Sequence, residues 1–286
     1  MQSVSILGIG RAGGALAIAL DRAGVPIKQL IYRSEQSVGS RYDLAKLVSI
    51  EDTEAIRSDV LIIATADQDI RSTAEGLVGF AELPAVSLHL SGSLDSAELS
   101  SLRSKGVAVG SMHPLVSISD AELGSERFVG AYFCVEGDPA AVKAANSLVE
   151  ELGGDHFSIQ TELKPLYHAS AVMASGNVTA LFDAAIEMLS ECGLTKEHAH
   201  RILFPLLQSA VSNLANRSTG HAITGPFVRG DVAALGRHLN AFNGVVSDDV
   251  RSIYLDLAER SVRLAGGEHT PELLAAISMA KRKTGC

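Results

Sequence analysis

Residues 6–24 read ILGIGRAGGALAIALDRAG, and this stretch decides how the rest of the chain is understood. A short β-branched and apolar run ends in Gly8-Ile9-Gly10-Arg11-Ala12-Gly13, and a segment with the apolar period of a helix follows without a gap. A strand that turns through such a loop into a helix uses its glycines for separate reasons. Gly8 makes the tight turn, Gly10 lets another group approach the backbone, and Gly13 lets helix and strand pack closely. The unpaired N–H groups of the helix N-terminus then face the loop, where they and the helix dipole favour a diphosphate. Gly8, Ile9, Gly10, Arg11, Ala12 and Gly13 are therefore expected to cradle the pyrophosphate of a dinucleotide. A structural βα turn would explain glycines alone, but not the order strand, loop, helix, second strand.

Outward from this loop the same alternation continues. Strands are expected over 4–8, 28–32, 60–65, 86–90, 107–112, 132–135 and 156–159, and helices over 12–23, 70–79, 94–104 and 139–152. Runs such as VLIIAT (60–65) are apolar throughout, as parallel strands covered on both faces are. This is α/β patterning: a Rossmann-type, mainly parallel sheet. From about residue 163 the period becomes helical without a convincing strand, over 163–191, 196–214, 232–242, 248–265 and 271–281. Thr195 suits an N-cap, and Thr270-Pro271 a cap with proline in the first turn. Two domains are expected, a dinucleotide-binding domain over 1–162 and an all-helical domain over 163–286. The long first helix is apolar on more than one face, which predicts a homodimer packed through the helical domains.

With 286 residues and 47% hydrophobic content, the chain can bury cores for two domains of ordinary size. Its net charge of -9 argues against nucleic acid and anionic membrane, which need clustered cations, and leaves a small molecule or another protein as partner. Cys134, Cys192 and Cys286 form neither a disulfide framework nor a metal pair, and no metal is expected. His198 and His200 are two apart and fall on different helix faces. The opening MQSVSILGIG lacks a basic segment and a cleavage site, and no later apolar run reads as an uninterrupted membrane span, so a cytoplasmic protein is expected.

The residues at strand ends carry the chemistry. After the second strand stand Arg33 and Ser34; a guanidinium pairs with a 2′-phosphate, which favours NADP, whereas Glu35 facing the ribose would restore NAD. Ala64, Thr65 and Asp67 after the third strand and Ser91 after the next lie on the ligand edge, with Asp67 equally suited to a helix N-terminus. His113, fixed by Pro114, would orient a substrate carboxylate or carbonyl, or simply bond to backbone. Hydride transfer needs a proton donor, and KPLYHASAVMASGN (164–177) places Lys164 and His168 on one helix face, with Asn177 following a Ser-Gly pair that no helix prefers. The plain alternative is a surface lysine and a packed histidine. In GHAITGPFVRGD (220–231), Arg229 and Asp231 suit substrate binding or an intersubunit ion pair, and Asp231 equally suits a helix cap.

Taken together, ILGIGRAGGALAIAL, HLSG, MHPL, KPLYHASAVMASGN and TGPFVRGD resemble a bacterial family that joins a Rossmann-like domain to a C-terminal domain of unknown function, within the 6-phosphogluconate dehydrogenase-like superfamily. The likeness spans nearly the whole chain. Ketopantoate reductases, pyrroline-5-carboxylate reductases, β-hydroxyacid dehydrogenases and prephenate dehydrogenases share the layout. It implies an NADP-linked oxidoreductase with a dimerising helical domain and supplies no substrate; reduction of a small 2-oxo or imino acid by NADPH is the leading expectation, with ketopantoate as its first specific case. A prephenate dehydrogenase-like or pyrroline-5-carboxylate reductase-like enzyme, or a non-catalytic NADP-binding sensor or scaffold on the same fold, are the alternatives. Ketopantoate reductases and β-hydroxyacid dehydrogenases set an asparagine one turn after the helix lysine; here that position is His168, and the asparagine is Asn177.

Overall fold

The structure, a computed structural model, describes residues 2–33, 46–242 and 244–283. In chain order its strands are β1 (Val4–Leu7), β2 (Ile27–Tyr32), β3 (Leu47–Ser49), β4 (Val60–Ile63), β5 (Val86–His89), β6 (Ala108–Pro114), β7 (Tyr132–Gly137) and β8 (Asp155–Phe157). They form one eight-stranded sheet in the order β3-β2-β1-β4-β5-β6-β7-β8. Neighbours are parallel from β3 to β6, β7 runs against β6, and β8 runs with β7. β1 has β2 on one side and β4 on the other, so the connections after β1 and β4 leave in opposite directions and open a crevice at the strands' C-terminal edge.

The helices α1 (Arg11–Arg22), α2 (Ile70–Leu77), α3 (Ser100–Arg103), α4 (Ala121–Ser125) and α5 (Pro139–Glu151) accompany the sheet. One core contains Val60 and Ile62 of β4 with Leu16 and Leu20 of α1 and Leu148 of α5. The other contains Leu61 and Ile63 of the same strand with Ile70 and Leu77 of α2 and Leu102 of α3. Both faces of β4 are thus buried, which is why its sequence does not alternate. β3, α4 and a short helix over Thr219–Ala222 were not expected; each is too brief to show a period.

The remaining helices are α6 (Lys164–Ala174), α7 (Gly176–Ser190), α8 (Lys196–Asn216), α9 (Thr219–Ala222), α10 (Val232–Ala241), α11 (Asp248–Ala265) and α12 (Thr270–Lys283). The single helix expected over 163–191 is two, broken at Ser175, whose φ of -128° and ψ of -80° leave the helical region. Its Oγ donates to the carbonyl of Ala171 at 2.7 Å, a local bond that competes with the helix ladder, and Gly176 follows. The chain divides there into two compact units, Met1–Ser175 and Gly176–Cys286.

In the second unit Leu235, Leu255, Val262, Leu273 and Ile277 from α10, α11 and α12 make the core. Tyr254 stands edge-on to Phe242 and shares a 2.7 Å hydrogen bond with Nδ1 of His238. Thr195 caps α8 as expected, accepting from the His198 N–H. On α7 and α8, Leu181, Ile202, Phe204, Leu206, Val211 and Leu214 are exposed. Thr161–Ser190 is long and apolar enough, by length and composition, to cross a membrane, which corrects the expectation that no stretch would be. It is also interrupted at Ser175 and begins beside the buried, ion-paired Lys164.

Candidate active site

The glycine loop takes the conformation its chemistry requires. Gly8 has φ of +96°, and a β-carbon there would lie 2.8 Å from the Ala64 carbonyl. At Gly13 a β-carbon would fall 1.9 Å from the Gly8 carbonyl oxygen and 2.8 Å from the Ala64 methyl. These two glycines let α1 close against β1 and β4. At Gly10 a β-carbon meets nothing within 4 Å, so this side of the loop is open. Among the described residues no side chain caps α1 and no acid sits in its first turn, so the N–H groups of Arg11, Ala12 and Gly13 face the opening without an anionic competitor there. Ile9 is turned into the core and offers backbone only. Beside the loop, Thr65 Oγ1 is sealed from solvent with no hydrogen-bond partner among the described residues. An uncapped helix N-terminus, an open glycine and an orphaned hydroxyl are the features a dinucleotide's phosphates would complete.

Gly13→Ala is expected to lose about 1–3 kcal/mol or more of folding stability, because backbone and not a pliable side chain blocks the methyl. Gly10→Ala is expected to keep its stability. Urea denaturation of the two variants side by side checks this contrast, and equal midpoints would refute the packing role of Gly13.

Arg33 stands beyond β2, where its Nη2 donates to Thr73 Oγ1 of α2 at 2.6 Å and Thr73 in turn donates to the Asp69 carbonyl at 2.6 Å. No carboxylate pairs with Arg33 among the described residues. Ser34, and with it Glu35, lies outside the described residues.

The loop after β5 is fixed from several directions. Asp67 Oδ2 accepts from Ser91 Oγ at 2.8 Å and from Ser93 Oγ at 2.9 Å, and Ser91 Oγ accepts from the N–H groups of Ser93 and Leu94. Below it His89 is fully buried; Nδ1 accepts from the Ser91 N–H at 3.1 Å, which puts the proton on Nε2, facing the Asp95 carbonyl at 2.9 Å. Burial pushes the His89 pKa down to about 4, so it is neutral. Asp67, itself exposed, and Ser91 are therefore hydrogen-bonded to each other.

Lys164, the first residue of α6, is neither a surface lysine nor open to solvent: it is 0% exposed. Its ammonium donates to Ser111 Oγ at 2.5 Å and to the Ser91 carbonyl at 3.3 Å, and lies 3.5 Å from Glu136 Oε1. Glu136, itself buried on β7, also accepts from the N–H and hydroxyl of Ser96 and from Ser111. Burial lowers the Lys164 pKa, opposed by the Glu136 carboxylate. This network ties α6, β6, β7 and the β5 loop together, and corrects the expectation of Lys164 as an accessible proton donor.

One turn further, Tyr167 OH lies 2.6 Å from His113 Nδ1, and the His113 ring stands edge-on to both Tyr167 and His168. The two histidines flank Gly92: a β-carbon there would fall 2.6 Å from His168 Cδ2 and 2.7 Å from His113 Nε2. Burial, and then the nearby His168 and Lys164, push the His113 pKa down to about 4; burial raises that of Tyr167. Ser91, His113, Lys164 and His168 thus converge around residues 91–93, with Asp67 joined to them.

Asn177, Arg229 and Asp231 belong to the second unit. Asp231 takes the capping alternative, accepting from the Ala234 N–H at 2.8 Å, and Arg229 is exposed in the preceding turn. Tyr167, Ser111 and Glu136 were not anticipated. Tyr167 shares the helix face of Lys164 by its i,i+3 spacing, which is the signal that would have found it. Among the described residues no three metal-ligating side chains lie together.

Strand order, crevice and glycine-turned helix define a Rossmann-type dinucleotide fold followed by a helical unit. Residues 131–261 match the family model of a domain of unknown function, DUF2520. The structure is similar to TM1727 from Thermotoga maritima, at 22% identity over 92% of this chain and 98% of that one, with a TM-score of 0.72. It is similar to BF3122 from Bacteroides fragilis, a candidate NADP oxidoreductase, at 19% identity over 92% and 98%, with a TM-score of 0.73. Pyrroline carboxylate reductase of Plasmodium falciparum, solved with NADP bound, matches at 15% identity over 93% and 98%, with a TM-score of 0.57. No curated protein matches the chain in sequence. The shared fold agrees with the Rossmann-like domain followed by a helical region that the resemblance implies.

Proposed function

We propose that the protein is an NADP-dependent oxidoreductase that reduces a small 2-oxo or imino acid. One observation carries this reading: the phosphate-ready glycine loop and the His113–Gly92–His168 cluster open on the same C-terminal edge of one sheet. The NADP of the Plasmodium reductase and the name of BF3122 support it. Bound NADPH would supply two electrons as hydride to the carbonyl or imine carbon. The first turn of α1 would hold the diphosphate, Thr65 would hydrogen-bond to it, and Arg33 would pair with the 2′-phosphate. His168 would pass a proton to the reduced group and recover it from water.

Ketopantoate is the first substrate to test, with prephenate-like and pyrroline-5-carboxylate-like acids beside it. The sealed position of Lys164 favours the second reading, a non-catalytic NADP sensor, over a lysine-dependent reductase. NADPH oxidation across a panel of 2-oxo and cyclic imino acids separates them, since tight NADPH binding without turnover would leave only the sensor. We further propose a cytoplasmic homodimer in which a second copy covers the exposed apolar residues of α7 and α8, readable as the mass in solution by light scattering.

Arg33→Ala is expected to weaken NADP binding roughly 10- to 100-fold while leaving NAD binding unchanged, as loss of a charge-assisted contact to the 2′-phosphate would. Titration calorimetry with both nucleotides checks it. Unchanged NADP affinity would remove Arg33 from the cofactor site.

A further inference from the structure

We infer that His113 presents a protonated Nε2 beside Gly92, set in that tautomer by Tyr167 as a positioning residue, so that the site favours a carbonyl oxygen over a protonated imine. The naming of the reacting group rests on the oxidoreductase reading; the tautomer does not.

The argument starts from hydrogen counting. A phenol has one hydrogen to donate, and a neutral imidazole has one N–H and one bare nitrogen. The Tyr167 hydroxyl has His113 Nδ1, at 2.6 Å, as its hydrogen-bond partner among the described residues. If Nδ1 carried the ring proton it would donate to the phenol oxygen, and the phenol hydrogen would be left without an acceptor in a partly desolvated position. An unmade donor is costlier than an idle lone pair, by about tenfold or more in population. With the proton on Nε2 instead, Tyr167 donates to Nδ1 and no donor on that side is idle. Burial keeps the His113 pKa near 4, so at neutral pH the choice is between the two neutral tautomers. His89, one strand away, is held in the same tautomer by the Ser91 backbone; His113 owes it to a side chain, which a mutation can remove.

Nε2 packs beside Gly92, where the absence of a side chain lets the ring approach. A β-carbon on Gly92 would lie 2.7 Å from Nε2, and among the described residues nothing accepts a hydrogen bond from it. His168 packs against the same glycine and stands edge-on to His113. A ligand atom that reaches Nε2 meets an N–H donor. A ketone oxygen has lone pairs for it, and a neutral imidazole donor stabilises the charge that gathers on that oxygen during reduction. The nitrogen of a protonated imine has no lone pair and brings its own hydrogen against the N–H. The expectation differs from what the fold neighbour that reduces a pyrroline ring would suggest.

The test is a two-bond proton–nitrogen spectrum of the full chain labelled with 15N-histidine, with the His113 signals identified by their loss in His113→Asn. Nδ1 is expected far downfield as a bare nitrogen and Nε2 in the protonated range. Tyr167→Phe is expected to bring the two tautomers within about threefold of each other. A proton on Nδ1 in the unaltered chain, or an unchanged tautomer in Tyr167→Phe, overturns the inference. In the second arm, NADP-loaded protein is titrated with cyclopentanone and with the ring-matched 1-pyrroline, which is protonated at neutral pH. The Nε2 proton is expected to move with the ketone only; any other pattern overturns the preference for a carbonyl. Failure to bind NADP would sink the oxidoreductase reading and leave the tautomer result standing, so the two failures are distinguishable.

Discussion

Lys164→Met is expected to cost about 3–5 kcal/mol of folding stability, the loss seen when one partner of a buried ion pair is removed and the other stays charged. Glu136 would keep its hydrogen bonds from Ser96 and Ser111 but lose the only ammonium facing it in that network. Lys164→Met combined with Glu136→Gln is expected to recover at least half of the loss, because neither charge is then buried and the glutamine can still accept from the serines. Chemical denaturation of the three proteins measures this; a single variant as stable as the double would show that the pair is not coupled. The pH dependence gives the sign of the dominant force. Lys164 has its folded pKa lowered below the ordinary 10.5, by burial first, with Glu136 pulling the other way. The unfolded chain therefore binds the proton more tightly in that window, and this residue's contribution rises as pH climbs from the lowered folded value to 10.5 and is lost as pH falls through it. The stability difference between the unaltered chain and Lys164→Met should grow over that window. A difference that shrinks there would mean attraction to Glu136 outweighs burial.

What the sequence disclosed, and what it withheld, follows from how far apart the interacting residues are. The glycine loop was legible because its constraints are local: Gly8 and Gly13 are five residues apart and are read together with the strand and helix they join. β4 was legible because both of its faces are buried and its run is apolar without alternation. The helix over Asp248–Ala265 was legible because its apolar positions keep one period to the end. The environment of Lys164 was not. Its partners come from the β5 loop, from β6 and from β7, and the pairing of Ser111 with Glu136 depends on the antiparallel register of β7, which no local pattern encodes. Spacing placed Lys164 and His168 on one helix face correctly, but a face does not say what covers it. For the same reason Tyr167, the residue between them in the sequence that reaches His113, went unread. The break at Ser175 is a contest between a side-chain bond to Ala171 and the helix ladder, and helical periodicity runs through both halves regardless. Polar residues at a helix start were visible; whether each one faces a ligand or anchors the helix is a tertiary fact.

Gly92→Ala is expected to lower turnover about a hundredfold in whichever 2-oxo acid supports NADPH oxidation by the unaltered chain, the scale that a misplacement of reacting groups by about 1 Å produces. The added methyl would sit 2.6 Å from His168 Cδ2, 2.7 Å from His113 Nε2 and 2.8 Å from His113 Cε1, well inside contact distance. What it meets are the ends of two side chains, and the backbone at Gly92 is not in the left-handed region, so alanine is tolerated by the chain and the rings give way. In this it differs from Gly13→Ala, where the obstacle is the Gly8 carbonyl and the fold itself must yield. The His113 ring cannot swing far without breaking the Tyr167 hydrogen bond, and the His168 ring rests edge-on against it, so both leave the positions from which they would face a bound carbonyl. The glycine loop and Arg33 lie on other connections of the sheet, and NADPH affinity is expected to fall less than tenfold. Kinetics and nucleotide titration on the same preparation separate the two effects. Turnover within about twofold of the unaltered chain would mean that the reacting group does not sit between these histidines, and the catalytic centre would have to be sought elsewhere along the sheet edge.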